Sequence, residues 1–365
     1  MAMNSEIIKF AAGNENTVKY FDRARDYIIQ RFAQDGRNLG KFEEGVTLSA
    51  KSEQLNNAFF EAVEVRSGVA RNAENASSWI AHPSVRWAAM SIIDATVNTL
   101  LPITTFPNMA DFVDFRAVGF GDVAHFKVMP RELFVVSRGA HGERTSFRQK
   151  QFKADVVVSP VEHIVTVFVD MYSVLSGKED IGEFIRLCIL SIETQMSQDA
   201  VAALTSGLTA GTYPSQLKVN GAFDTADLIR LAETVEAANY GAKPVIMGTA
   251  SALAKVLPDS TAGFRGVFEA DGGSVEIMKN FYGYDLVRMR QFLAPGSLEL
   301  ALDPNTLYIV SPGADKLIKG VMTNALSNSN QFYDNADLTQ NYTTRKDWNF
   351  AFVSASRAGI YTITD

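Results

Sequence analysis

The stretch Glu179-Asp180-Ile181-Gly182-Glu183-Phe184-Ile185-Arg186-Leu187-Cys188-Ile189-Leu190-Ser191-Ile192, continuing through Met196 and Ala200 to Leu204, decides how the rest of the chain is read. Ile181, Phe184, Ile185, Cys188, Ile192, Met196, Ala200 and Leu204 mark one face at helical spacing. Ser176 stands three residues before Glu179, the spacing of a capping box, and Gly207 is the expected stop. At about 1.5 Å per residue, some 24 residues make a rod of roughly 36 Å, long enough to cross a domain as a spine.

Upstream of this helix the period is two. Residues 112–136 and 147–170 are β-branched and aromatic with alternation, and Ser137 to Glu143 between them is rich in turn formers, which predicts a long two-stranded ribbon. Its distal part is polar on both faces: Arg148 and Lys150 point one way, Gln149, Gln151 and Lys153 the other. An isolated two-stranded ribbon is marginal in water, so this one should lean on a neighbour. Before it, residues 85–101 read as a helix closed by Pro102 and Pro107, and residues 1–60 as an arm with helical pieces at Val18, Phe21, Arg25, Ile28 and Phe32.

Downstream comes a compact α/β pattern. Asp224 caps a helix carrying Leu228, Leu231 and Val235, and Pro244 to Gly248 reads as a buried strand. Thr249 caps a short helix to Leu257, and Tyr284–Arg290 and Leu307–Ser311 read as strands. Residues 324–340 are polar loop, and a last strand or hairpin over 347–363 is expected to return to the first domain. The fold class is therefore α+β.

The composition suits a globular protein with a large core: 365 residues, 47% apolar, 21% charged, mean hydropathy −0.01. No window approaches the roughly 18–20 apolar residues that span a bilayer, and the first residues lack the head of a secretion signal, so a membrane partner is not expected. The single cysteine, Cys188, excludes an internal disulfide and fits a reducing cytoplasm. The formal charge of −7 disfavours nucleic-acid binding by the body. Between Arg116 and Lys153, however, eight basic residues face three acidic ones, an excess of five, which leaves −12 on the remainder. A basic segment on an acidic body can bind an external anion or another copy of the same body.

Enzymatic constellations are weak. His125 and His163 fall in opposing arms of the ribbon with Glu162 adjacent, a pair able in principle to bind zinc or act as a base, but no spacing motif supports it and two strand residues are the simpler reading. Cys188, between Phe184 and Ile192 without a neighbouring His or Lys, reads as a small core residue. Gly263, Gly266, Gly272 and Gly273 fit neither a phosphate loop nor a dinucleotide fingerprint, and Glu43-Glu44 and Glu179-Asp180 are adjacent rather than converging. No catalytic residue, metal site or cofactor is expected. The ribbon's Arg138, Arg144, Arg148 and Lys150 are the candidate inter-subunit contact residues, because only Phe147 and Phe152 stand nearby as stacking platforms for a nucleic acid.

The succession of arm, helix, protruding ribbon, spine helix, α/β domain and returning strand resembles the major capsid proteins of tailed double-stranded DNA phages, the Hong Kong 97-like fold. Lys243–Leu257, Tyr282–Pro295, Thr306–Val321 and Arg345–Tyr361 carry the resemblance most clearly. It implies an N-terminal arm (1–60), an extended loop (112–158), a peripheral domain with the spine helix (61–111, 159–221 and 326–365) and an axial domain (222–325). It also implies self-assembly as hexamers and pentamers into an icosahedral head around DNA bound without sequence specificity. Portal, scaffolding or decoration proteins would be its partners, and assembly would take place in the host bacterial cytoplasm. The short arm suggests a separate scaffold or none, and a chain that stays uncleaved. Isopeptide linking, which would draw on Lys150 or Lys153 and on Asn324, Asn328 or Asn330, is not expected. An encapsulin-type compartment is the alternative, and an α/β enzyme the more distant one.

Overall fold

The computed structural model describes residues 15–37, 39–71, 76–109, 113–119, 121–128, 154–169, 179–256, 280–291, 293, 297–312, 315–323, 340–353 and 356–364. Two antiparallel-packing helices open it, α1 (Glu15–Gln34) and α2 (Leu48–Ser67). Tyr20, Ala24, Tyr27, Ile28 and Phe32 of α1 meet Leu55, Ala58, Phe59 and Ala62 of α2, so both helices belong to the main apolar core rather than hanging free. Thr47 caps α2 at its start and Gly68, at φ 70°, ends it in the left-handed conformation.

A short α3 (Ala76–Ala81) leads into α4 (Pro83–Met109). The expected stop at Pro102 and Pro107 does not occur, since the helix continues to Met109. It runs through Pro102 because Leu100, Leu101, Thr104 and Thr105 are buried there, and the hydroxyls of Thr104 and Thr105 donate to the carbonyl of Leu101 within the disturbed turn. Here tertiary burial outweighs the cost of the proline.

The spine, α5 (Ile181–Thr209), continues past the expected stop at Gly207 to Thr209, with Ala210 as its C-cap. Its N-cap is Asp180, whose Oδ1 accepts from the Gly182 amide at 2.8 Å, while Ser176 lies outside the described residues. Tyr27 of α1 donates to the other Asp180 oxygen at 2.8 Å, and Asn56 of α2 accepts from the Ile181 amide at 3.3 Å. A Cβ on Gly182 would stand 2.6 Å from the Tyr27 ring, so glycine permits this approach. Gly207 does the same near the other end, under Phe352.

The described residues hold twelve strands: β1 (Val113–Val118), β2 (Ala124–Val128), β3 (Ala154–Val158) and β4 (Val161–Val169) before the spine, and β5 (Lys218–Gly221), β6 (Val245–Gly248), β7 (Asn280–Phe281), β8 (Tyr284–Arg288), β9 (Thr306–Val310), β10 (Ile318–Thr323), β11 (Gln340–Phe352) and β12 (Gly359–Ile363) after it. One sheet has the order β1-β10-β11-β4, a second β5-β12-β9-β6-β8-β7, and β2 pairs with β3 alone. Helix α6 (Thr225–Ala238), capped by Asp224, and α7 (Ala250–Ala254), capped by Thr249, pack on the six-stranded sheet. The class is α+β, as the sequence indicates.

Sheet membership crosses sequence order. β11 returns to the sheet beside α4 and α5, whereas β12 joins the six-stranded sheet, between β5 and β9. β10 lies between β1, with which it is parallel, and β11, antiparallel to it. Ile318 and Met322 of β10 enter the main core, while Lys319 and Val321 face the opposite side. Among the described residues no helix is long and apolar enough to cross a membrane.

Candidate functional site

Of the ribbon expected over 112–136 and 147–170, the described residues hold the antiparallel pair β2–β3, its root, with Ala124 opposite Val158, Phe126 opposite Val156 and Val128 opposite Ala154, whereas β1 and β4 pair with β10 and β11. Strand alternation turns Ala124, Phe126 and Val128 inward and leaves His125 and Lys127 exposed. Ala124 and Phe126 form a satellite cluster with Val158 and with Val321 of β10, joined by Val118 of β1, Val156 and Ala351 of β11, while Val128 packs with Val353 and Val156. The root therefore lies across three strands of the four-stranded sheet, on the face away from the helices.

Charged groups close this cluster. Phe126 is buried, and Arg116 of β1 stands over its ring at 4.4 Å while donating from Nη1 to the carbonyl of His125 at 2.6 Å. Lys319, only 2% exposed, lies 5.8 Å from the same ring. Its ammonium is matched by Asp315 at 2.7 Å and Asp114 at 3.3 Å, the compensation a buried cation requires. The alternation of β2 is legible from sequence. Lys319 carries a weaker signal, a lone charge in the apolar run Leu317-Ile318-Lys319-Gly320-Val321-Met322, and neither β10 nor β5 is among the strands the sequence marks.

The candidate contact residues Arg138, Arg144, Arg148 and Lys150 lie outside the described residues, between β2 and β3 in sequence. The two histidines are not brought together. His125, at the ribbon root, is exposed and 3.1 Å from Asp155 of β3. His163, on β4, stacks flat on Trp348 at 3.7 Å with an interplanar angle of 5°. Its Nδ1 meets the Val161 carbonyl at 2.9 Å, and its Nε2 is 3.6 Å from Asp199 of α5, which also accepts from the Trp348 indole at 2.9 Å. The pairing fails because β2 and β4 belong to different sheets. Each ring instead serves its own neighbours.

Cys188 is buried on the spine, and desolvation, with the charge of Asp94 adding to it, pushes its thiol up to about 12. That is the reverse of an activated nucleophile. Sequence gave no sign of the buried polar seam beside it. Arg37 makes a two-pronged pair with Glu193 at 3.0 and 2.5 Å and donates to the Thr104 carbonyl at 3.1 Å. Lys346 and Thr344 of β11 donate to Asn98 and Asp94 of α4 at 2.7 and 3.0 Å. At the helix start, the hydrogen bond from Arg186 holds the Glu183 carboxyl below the usual carboxylate range against the opposing effect of burial. These groups are joined to one another in ways that tie helices to strands. Among the described residues no cluster of three or more His, Cys, Asp or Glu could hold a metal ion.

Several solved structures are similar to this chain. The mature capsid of bacteriophage PhiM1 is 11% identical, with 70% of this chain and 86% of that one covered and a TM-score of 0.47. A Mycobacterium phage Che8 structure is 14% identical, covering 66% and 84% with a TM-score of 0.43. A virus-like particle from Pyrococcus furiosus is 8% identical, covering 73% and 97% with a TM-score of 0.42. No curated protein sequence matches. The sequence profile of the family described as "SPbeta prophage-derived putative capsid protein YonB" matches residues 9–265, from the first helices through the ribbon and spine to the α/β pattern. With more than half of its length inside that profile, the chain belongs to the YonB family of prophage-derived capsid proteins.

Proposed function

We propose that this chain is the major capsid protein of a tailed phage, with the Hong Kong 97-like fold. It assembles as hexamers and pentamers into an icosahedral head that encloses double-stranded DNA without sequence-specific contacts. Its role is structural rather than enzymatic. Family membership across residues 9–265 is the observation that carries the reading.

Other features support it. A closed shell requires one subunit to make several non-self contacts, and a ribbon rooted on its own sheet but carrying a polar, basic distal segment supplies such a contact. The segments 1–60, 112–158 and 222–325 take the parts of arm, extended loop and axial domain, with β5 and β12 completing the axial sheet and β10 lying in the sheet of the peripheral domain, which the remainder forms around the spine. Arg138, Arg144, Arg148 and Lys150 then meet the acidic bodies of neighbouring copies. Assembly takes place in the host bacterial cytoplasm, and portal, scaffolding or decoration proteins complete the particle.

Light scattering and negative-stain microscopy of the purified full chain test this. Icosahedral shells or free capsomers are expected. A monodisperse monomer that stays soluble at high concentration would sink the proposal, and shells holding host protein in place of DNA would redirect it to an encapsulin-type compartment.

A further inference from the structure

We propose that Phe126 is the positioning residue of the ribbon, held by Arg116 and Lys319 so that the ribbon leaves its subunit in one fixed direction. What the ribbon does beyond its subunit rests on the capsid reading above; the clamp at its root does not.

The satellite cluster under β2–β3 is small. Phe126 is the one aromatic side chain in it, and its partners are alanines and valines. Apolar contact by itself has no preferred direction, so such a cluster could hold the ribbon down without fixing its angle. Directional contacts from two strands, β1 and β10, converge on Phe126 and the residue before it, while Asn349 of β11 holds the end of β3 by donating to the Ser159 carbonyl at 2.9 Å. Arg116 grips β2 twice, by the ring face at 4.4 Å and by the His125 carbonyl at 2.6 Å. Lys319 approaches the same ring and is itself anchored by Asp315 and Asp114, so it cannot follow the ring if the ribbon swings. Two cations from adjacent, parallel strands of one sheet thus approach the same ring. Residues 129–153 join β2 to β3 in sequence, so whatever contact they make starts from this pair.

The test uses full-length chains carrying Phe126→Ala, Phe126→Leu or Arg116→Met, with amide hydrogen exchange on unassembled subunits and particle yield by sedimentation. Phe126→Ala is expected to speed exchange in β2 and β3 about tenfold or more while α5 exchanges as before, and to lower particle yield by a similar factor. Phe126→Leu keeps most of the apolar contact and loses the ring. It is expected to recover much of the protection and little of the particle yield. If Phe126→Ala fails to fold, Arg116→Met, at an exposed side chain, decides through the same two measurements. Wild-type exchange in β2 and β3, or wild-type particle yield in both Phe126 variants, would overturn the proposal and leave the capsid reading standing. Absence of particles from the unaltered chain would overturn the capsid reading, with the exchange data still deciding whether Phe126 fixes the root.

Discussion

The ring of Phe352 lies directly over Gly207, so close that a Cβ built on the glycine would stand 2.1 Å from the ring's Cγ. A residue with helix-stop chemistry thus sits inside the spine helix as the seat for a β11 side chain. Gly207→Ala gains about 1 kcal/mol of helix propensity but overpacks this contact by about 1–3 kcal/mol. A net loss of stability in urea unfolding is expected, partly recovered when Phe352→Leu is added. Additive single and double variants would show that the contact is not the cause.

Arg37 and Glu193 form a paired charge whose side chains are 7% and 1% exposed. Removing one partner strands the other in a dry site, so Arg37→Met and Glu193→Gln should each cost about 3–5 kcal/mol. The double replacement Arg37→Met with Glu193→Leu should cost less than the two single effects combined. Thermal melts of all three chains measure this.

Glu183 titrates at the start of the spine. Its folded-state pKa is lowered by the Arg186 hydrogen bond, so its stabilising contribution is complete above the ordinary glutamate value of 4.5 and is lost as pH falls through the lowered value. Urea midpoints of the wild type should exceed those of Glu183→Gln at neutral pH and converge with them in acid. A gap independent of pH would assign the effect to packing.

Cys188 should resist iodoacetamide at pH 8 in the folded chain and react readily in urea, since the thiol is buried and its ionisation suppressed. Intact-mass measurement distinguishes the two. Rapid labelling of the native chain would mean that the spine opens locally.

Arg144→Glu combined with Arg148→Glu should leave the melting transition of the subunit within about 0.5 kcal/mol of wild type, as surface changes usually do. Assembly should be impaired, or particles should fall apart at moderate salt, because exposed charge pairs are weak singly and screened. A variant that assembles normally and loses only DNA retention would place the ribbon's charge against nucleic acid.

Local chemistry was readable in the sequence where it is local in the structure. The apolar face of α5, the caps Asp224 and Thr249, and the alternation of β2 each depend on residues within a turn or two. Misreadings arise where distant packing intervenes. Pro102 and Gly207 look like stops until Leu101 and Phe352 are seen to bury against those turns. Lys319 looks exposed until Phe126, almost two hundred residues earlier, covers it. The Arg37–Glu193 pair spans 156 positions, and no pattern in either neighbourhood announces the other. His125 and His163 would oppose each other only on a single ladder, whereas β2 pairs with β3 and β4 with β11.

The place of β12 bears on how the chain is made. β5 and β9 are both complete by residue 310, yet the strand that joins them is residues 359–363. A nascent chain on the ribosome therefore carries two open strand edges, hazards for pairing with other chains, until those five residues emerge. Tyr361 then closes the gap, its hydroxyl accepting from the Asp224 amide and donating to the Ala222 carbonyl. A chain that stops short of residue 359 cannot complete the six-stranded sheet and keeps the β5 and β9 edges open.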